Sequence, residues 1–261
     1  MIEPYLAGAT RGAFDVWVEG AVARYSDGLE FREIRKGVQA LSSLYVQRRE
    51  GADLSARAIE GHGKRAALVT YYAPLHFLAA WHALAELGPE RLGTPQRVWD
   101  LGCGSGGAGA AAALAVGADE VTGIDRSGFA LGEARRTYAA FGLLGRTRRG
   151  RLPKAAPVPK RGELWVLGWA VNELEEEDRQ GLFRTLCAAL EAGVVMVLLE
   201  PLAGSAVPWW RSWAQALIDR GVTEGTLKRS LARPEWIAKL DRAAGLDHRV
   251  IGARVLAGPL G

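Results

Sequence analysis

The stretch Arg97–Asp125, "RVWDLGCGSGGAGAAAALAVGADEVTGID", decides the fold. It opens on "RVWDLG", which reads as a strand. A glycine-rich turn follows. An alanine-rich segment then reads as a helix that closes at Gly117. A second strand, "EVTGID", ends in the acid Asp125. Such a unit receives a nucleoside-containing cofactor at its turn, because glycines let the backbone approach a ligand with no Cβ in the way.

Two templates fit the turn. Gly102, Gly104 and Gly107 match the dinucleotide fingerprint. Asp100, Gly102, Gly104 and Gly106 match the fingerprint of Rossmann-like methyltransferases that bind S-adenosylmethionine (SAM). A dinucleotide brings a pyrophosphate to helix N–H groups, and a carboxylate repels it there. SAM has no phosphate and carries a sulfonium and an ammonium, which a carboxylate suits. Asp100 therefore selects SAM. Asp125, 25 residues on, is expected to accept hydrogen bonds from the ribose hydroxyls. Its structural alternative is a helix N-cap, with Ser127 competing for that place. Cys103 has no His or Lys beside it in sequence and reads as a small filler of the turn, not as a nucleophile.

Outward from this unit the chain divides in two. Residues 1–92 read as a helical region or lid. There Leu29, Ile34, Val38, Leu41 and Leu44 recur at roughly helical spacing, and "KRAALVTYYAPLHFLAAWHALAELG" is a second amphipathic stretch. Pro74 should kink or restart that helix near Tyr72. Residues 93–261 alternate strand and helix. Strands are expected at "ELWVLGWAV" and "VVMVLLEPL", helices at "EEEDRQGLFRTLCAALEAG", "PWWRSWAQALIDRG" and "PEWIAKLDRAAGL", and a terminal strand or strand pair at "HRVIGARVLAG". The segment "GRTRRGRLPKAAPVPKRG" reads as a basic loop. The pattern predicts an α/β fold, a mostly parallel sheet with helices on both faces.

At this point the sequence resembles the class I SAM-dependent methyltransferases, whose Rossmann-like sheet ends in an antiparallel strand. Three further segments, "QALSSLYVQRRE", "LGWAVNELEEEDRQGLF" and "LLEPLAG", resemble the methyltransferase-like family associated with the mitochondrial small ribosomal subunit and its bacterial relatives. The resemblance implies ribosomal RNA or a ribosome-associated target. It also leaves open a non-catalytic SAM-binding assembly factor. The family's clustered cysteines have no counterpart here, so no metal cluster is implied. A methyltransferase of a peptide or small-molecule pathway is the third reading.

Cofactor contacts are expected from Asp100, Gly102, Cys103, Gly104, Gly106, Asp125, Arg126, Gly168 and Trp169. "LWVLGWAVNEL" should deliver Asn172 and Glu173 to the reacting centre, above the ends of the first and fourth strands. Methyl transfer is an in-line displacement in which positioning provides much of the acceleration. A base is needed only for an acceptor that arrives protonated. Glu173 and His76 are candidate bases, and Tyr71, Tyr72 and Trp169 candidate walls for a flat or cationic substrate. Asn172 competes with a role as helix N-cap. The prolines and aromatic of an amino-methylating "NPPY" motif are absent.

The formal charge of +4 permits nucleic acid without demanding it. Arg146, Arg148, Arg149 and Arg151 are the candidate RNA contacts; a solvated loop is the plain alternative. Two distant cysteines, Cys103 and Cys187, imply neither a disulfide framework nor a metal site, and a reducing cytoplasm is expected. No apolar run reaches the roughly 18 residues of a membrane span, and the first 15 residues lack a secretory pattern.

Overall fold

The computed structural model describes residues 3–47 and 60–258. The part of "QALSSLYVQRRE" from Arg48 onward lies outside them. The described chain runs α1 (Gly8–Ser26), α2 (Phe31–Gln47), α3 (His62–Ala67), a π-helical turn (Leu68–Tyr72), α4 (Ala73–Leu87) and α5 (Pro89–Leu92). Then follow β1 (Arg97–Leu101), α6 (Gly107–Val116), β2 (Glu120–Asp125), α7 (Gly128–Ala140), β3 (Leu144–Arg149), β4 (Leu164–Gly168) and α8 (Glu176–Glu191). The last elements are β5 (Val195–Glu200), α9 (Trp210–Ile218), β6 (Thr223–Ser230), α10 (Glu235–Ala244) and β7 (Val250–Gly258).

The seven strands form one sheet in the order β3-β2-β1-β4-β5-β7-β6. The first five are parallel, and β7 runs antiparallel between β5 and β6. This is the Rossmann-like class I methyltransferase arrangement. Strand order reverses between β1 and β4, so a crevice opens at their C-terminal ends.

The central strands are apolar throughout because both faces are covered. Side chains alternate between two cores, as the period of two requires. Leu164, Val166, Val197 and Leu199 face the core beneath α4 and α6. Trp165, Leu167, Met196 and Leu198 face the core shared with α8 and α9. Trp209, Trp210 and Trp213 are buried in this second core.

The helical region packs onto the sheet rather than standing apart from it. Phe14, Trp17 and Phe77 share the first core with Val98 and Val166. Phe77 stacks on Phe141 at 4.7 Å and meets Phe14 at 5.2 Å, which joins α1 and α4 to the end of α7. Ile34, Val38 and Leu41 are buried, as their spacing predicts. Pro74 sits in the first turn of α4, where its missing N–H costs nothing. The π-helical turn ends directly before that helix. The expected restart near Tyr72 is therefore present.

Two expectations need correction. The basic segment is not wholly a loop: its first residues form β3 and pair with β2 from Glu120↔Leu144 to Asp125↔Arg149. "TEGTLKRS" forms β6, which pattern reading did not find. Both are edge strands with polar side chains on both faces, so alternation is weak. Among the described residues no helix is long and apolar enough to cross a membrane.

Helices α2 and α3 meet through glycines. A Cβ on Gly37 would stand 2.0 Å from the Gly63 carbonyl oxygen. Backbone atoms cannot swing aside, so Gly37→Ala is expected to destabilise the fold by about 2 kcal/mol or more in urea unfolding. Gly12→Ala, with nothing within 4 Å of the new methyl group, should instead stabilise by up to about 1 kcal/mol.

Candidate active site

The crevice encloses about 510 Å³, a volume suited to a small ligand. Its floor is the turn after β1, with Asp125 and Arg126 at the end of β2. Gly168, Trp169, Asn172 and Glu173 form one wall, and Gly150 and Arg151 lie opposite. Tyr72 and His76 close it from the helical region, and His248 from the segment before β7. Most of the expected site residues thus meet in one place. Asp100 and Gly106 do not line it.

The turn is held by its own backbone. The N–H groups of Gly102 and Cys103 donate to the Ile124 carbonyl at 2.8 and 3.0 Å, and that of Gly106 to Cys103 at 2.7 Å. Gly102 and Gly104 adopt φ of +73° and +49°, which glycine takes without strain. The Gly104 N–H donates to Asp125 Oδ2 at 3.0 Å, and that of Ser127 to Asp125 Oδ1 at 2.8 Å. Ser127, not Asp125, caps α7, accepting from Ala130 at 3.2 Å. Burial raises the Asp125 pKa, against the hydrogen bonds from Ser127 and Gly104. Four donors of the turn are spent internally, which leaves fewer for a pyrophosphate. A ligand rich in hydroxyls and positive charge, such as SAM, fits these residues.

Asp100 does not line the crevice, contrary to the expectation that it meets the cofactor's cations. Asp100 is 1% exposed, and its Oδ2 accepts from the Gly109 N–H at 3.1 Å and the Tyr138 hydroxyl at 3.0 Å. Burial lifts its pKa to about 7, against those two hydrogen bonds. It opposes phosphate by occupying a donor of the first turn of α6 from below, not by facing the sulfonium. Cys103 lines the crevice with a thiol that burial pushes upward, which agrees with a filler.

On the opposite wall Trp169 adopts φ 56°, rare for a bulky residue. Its N–H donates to Leu199 at 2.8 Å, which holds it there. Its ring stacks on His76 at 4.1 Å and 9°. Burial, and then the neighbouring His248, push the His76 pKa down to about 4. A neutral, stacked His76 serves as a wall better than as a base. The Tyr72 hydroxyl donates to the Val38 carbonyl at 3.3 Å, which turns it away from proton transfer. Asn172 does not cap α8; that place belongs to Glu175. Asn172 and Glu173 instead form a short 3₁₀ turn.

Beneath that turn lies a residue to which the sequence reading gave no role. Glu200 is fully buried, and its Oε1 accepts from the Asn172 N–H at 3.1 Å, while Oε2 has no partner among the described residues. Burial raises its pKa to about 8, against the Asn172 hydrogen bond. An acid closing the apolar run of "VVMVLLEPL" was the available signal. Both states are protonated below about pH 4.5. Above that the unfolded chain ionises while folded Glu200 does not until about pH 8. Stability from this group is therefore full at low pH and lost as pH rises through that window. Melting temperature is expected to fall more steeply between pH 5 and 8 in the native protein than in Glu200→Gln.

Residues 98–193 match the methyltransferase-domain family. No curated protein matches the chain by sequence. The plantazolicin methyltransferase BpumL, solved in complex with SAH, aligns with a TM-score of 0.50 at 13% identity, covering 84% of this chain and 97% of its own. The mitomycin 7-O-methyltransferase MmcR aligns at 0.49 and 15%, covering 82% and 59%. A putative RNA methyltransferase, PH1948 from Pyrococcus horikoshii, aligns at 0.43 and 14%, covering 76% and 84%. The likeness to BpumL is one of fold. With the domain match lying across the glycine-rich turn and the crevice built upon it, the chain carries a SAM-dependent methyltransferase domain.

Proposed function

We propose that this methyltransferase acts on RNA, with ribosomal RNA or a ribosome-associated target as the substrate class that the sequence resemblance implies. The observation that carries this reading is a strip of cations leading to the crevice. Arg146, Arg148 and Arg149 lie along the edge strand β3. Arg151 follows, and lines the crevice mouth together with Arg126. Arg148 donates to the Ala155 carbonyl, and Arg149 to that of Arg126 at 3.1 Å. Bonds to neutral carbonyls leave the charge in place for a phosphate. Arg151 is paired with Asp178 at 2.8 Å and contributes less.

When bound, SAM supplies an electrophilic methyl group on a sulfonium sulfur. Asp125 is the residue to hold the ribose hydroxyls, with Gly102, Cys103, Gly104 and Gly168 giving the backbone approach. Asn172 and Glu173 lie where an acceptor would enter. The second reading, a small-molecule or peptide acceptor, is favoured by the His76–Trp169 wall, which suits a flat group in an enclosed crevice. A non-catalytic assembly factor would bind SAM and RNA without turnover. Conversion of SAM to S-adenosylhomocysteine with small ribosomal subunits decides against it; turnover only with a small-molecule extract would favour the second reading.

Asp125→Ala should weaken SAM binding about tenfold or more by calorimetry, since a hydrogen bond to a charged group contributes about 1.5–3 kcal/mol. Unchanged affinity would remove Asp125 from the site. Replacing Arg146, Arg148 and Arg149 with Gln should weaken RNA binding and flatten its dependence on salt by about 0.7 in logarithmic slope per lost contact. SAM affinity should stay the same. An unaltered slope would assign the strip to solvent.

A further inference from the structure

His248 lines the crevice and is anchored from behind by a polar cluster around the buried Asp241. Its Nδ1 lies 2.9 Å from Oδ1 of Asp241 on α10 and 2.8 Å from the Tyr71 hydroxyl oxygen on the π-helical turn. The Tyr71 hydroxyl donates to the same Oδ1. Arg233 donates to Oδ2, and the His248 backbone N–H reaches Oδ2 at 3.2 Å. Asp241 is fully buried. Burial opposes its charge, but the hydrogen bonds from His248, Tyr71 and Arg233 outweigh it and hold the carboxyl below its ordinary range. Burial, and then the bond to Asp241, push the Tyr71 pKa up, so its hydroxyl keeps its proton.

These contacts fix the histidine tautomer. Asp241 is an acceptor only. The single proton of Tyr71 is committed to Asp241. Nδ1 therefore faces two oxygens that have no proton to give it, and must itself be the protonated nitrogen. In the neutral ring the lone pair then lies on Nε2, at the opposite ring edge. Nε2 makes no hydrogen bond to a described residue. The side chain is 35% exposed and lines the crevice. The charged and titratable groups around it are Asp241, Arg233, Tyr71 and His76, with Asp247 and Arg249 paired to each other at the surface.

We propose that His248 is the general base of methyl transfer, positioned by Asp241 and Tyr71, and that the acceptor is a flat ring whose methylated atom carries a proton as O–H or N–H. The ring follows from the stacked His76–Trp169 wall. The proton follows from the base, which an acceptor with a free lone pair would not need. The acceptor atom forms its bond to the methyl carbon as the carbon–sulfur bond breaks, and that electron pair stays on sulfur. The acceptor proton passes to Nε2. The resulting imidazolium is stabilised by Asp241 and returns its proton to solvent at its exposed edge. The inference rests on the methyltransferase assignment and not on the RNA reading.

The test uses para-nitrophenol, a flat ring whose ionised form is coloured. The full-length protein is saturated with S-adenosylhomocysteine and titrated with the probe below the pH at which the free probe ionises. The wild type should bind it as the coloured anion, paired with His248. His248→Gln should bind that anion at least about tenfold more weakly, with S-adenosylhomocysteine affinity unchanged to within about twofold. Nitrogen NMR of the unliganded protein should show His248 with Nδ1 protonated and Nε2 bare, and Asp241→Asn should lose that preference. A wild type that binds S-adenosylhomocysteine but not the anion, an equal anion affinity in His248→Gln, or a protonated Nε2 in the neutral ring would each overturn the proposal. A wild type that does not bind S-adenosylhomocysteine would overturn the methyltransferase assignment, and the proposal with it.

Discussion

The hydrogen bonds that close the turn after β1 set the terms for the rest of the molecule. The Ile124 carbonyl accepts from both Gly102 and Cys103, so the end of β2 fixes the backbone at the end of β1. Asp125, the next residue, accepts from Gly104. The floor of the crevice and the carboxylate beside it are thereby one rigid unit. A backbone so bound offers fewer N–H groups to a phosphate than an open glycine turn does.

Two buried carboxyls support the crevice from outside it. Asp100 ties β1 to α6 and α7 through Gly109 and Tyr138. Glu200 ties the end of β5 to the Asn172 turn. Burial raises both pKa values, because an ionised carboxylate is costly away from water. Holding these groups near neutrality makes the scaffold sensitive to pH in a range where an exposed acid would be silent. Asp241 is the contrast. It is equally buried, yet its donors and Arg233 keep it ionised.

The helical region forms the roof of the site. Its aromatic side chains share one core with the sheet, and the segment from Leu68 to His76 brings Tyr72 and His76 to the crevice. The strained Trp169 meets His76 there. Strain of about 1–3 kcal/mol at such a residue is held in place by the surrounding structure and clusters at functional sites.

The SAM unit, the buried strands and the helices were legible in the sequence, because glycine spacing and apolar periodicity are local signals. The crevice lining was largely legible for the same reason: it falls at strand ends, where Asp125, Trp169, Asn172 and Glu173 were expected. Edge strands β3 and β6 were not, since polar side chains on both faces remove the alternation that marks a strand. The placement of Asp100 below the turn, rather than in the crevice, depends on Gly109 and Tyr138, 9 and 38 residues away. The His248 cluster draws on residues up to 177 positions apart. Its chemistry arises from burial and from which atom donates to which, and only the tertiary structure decided that.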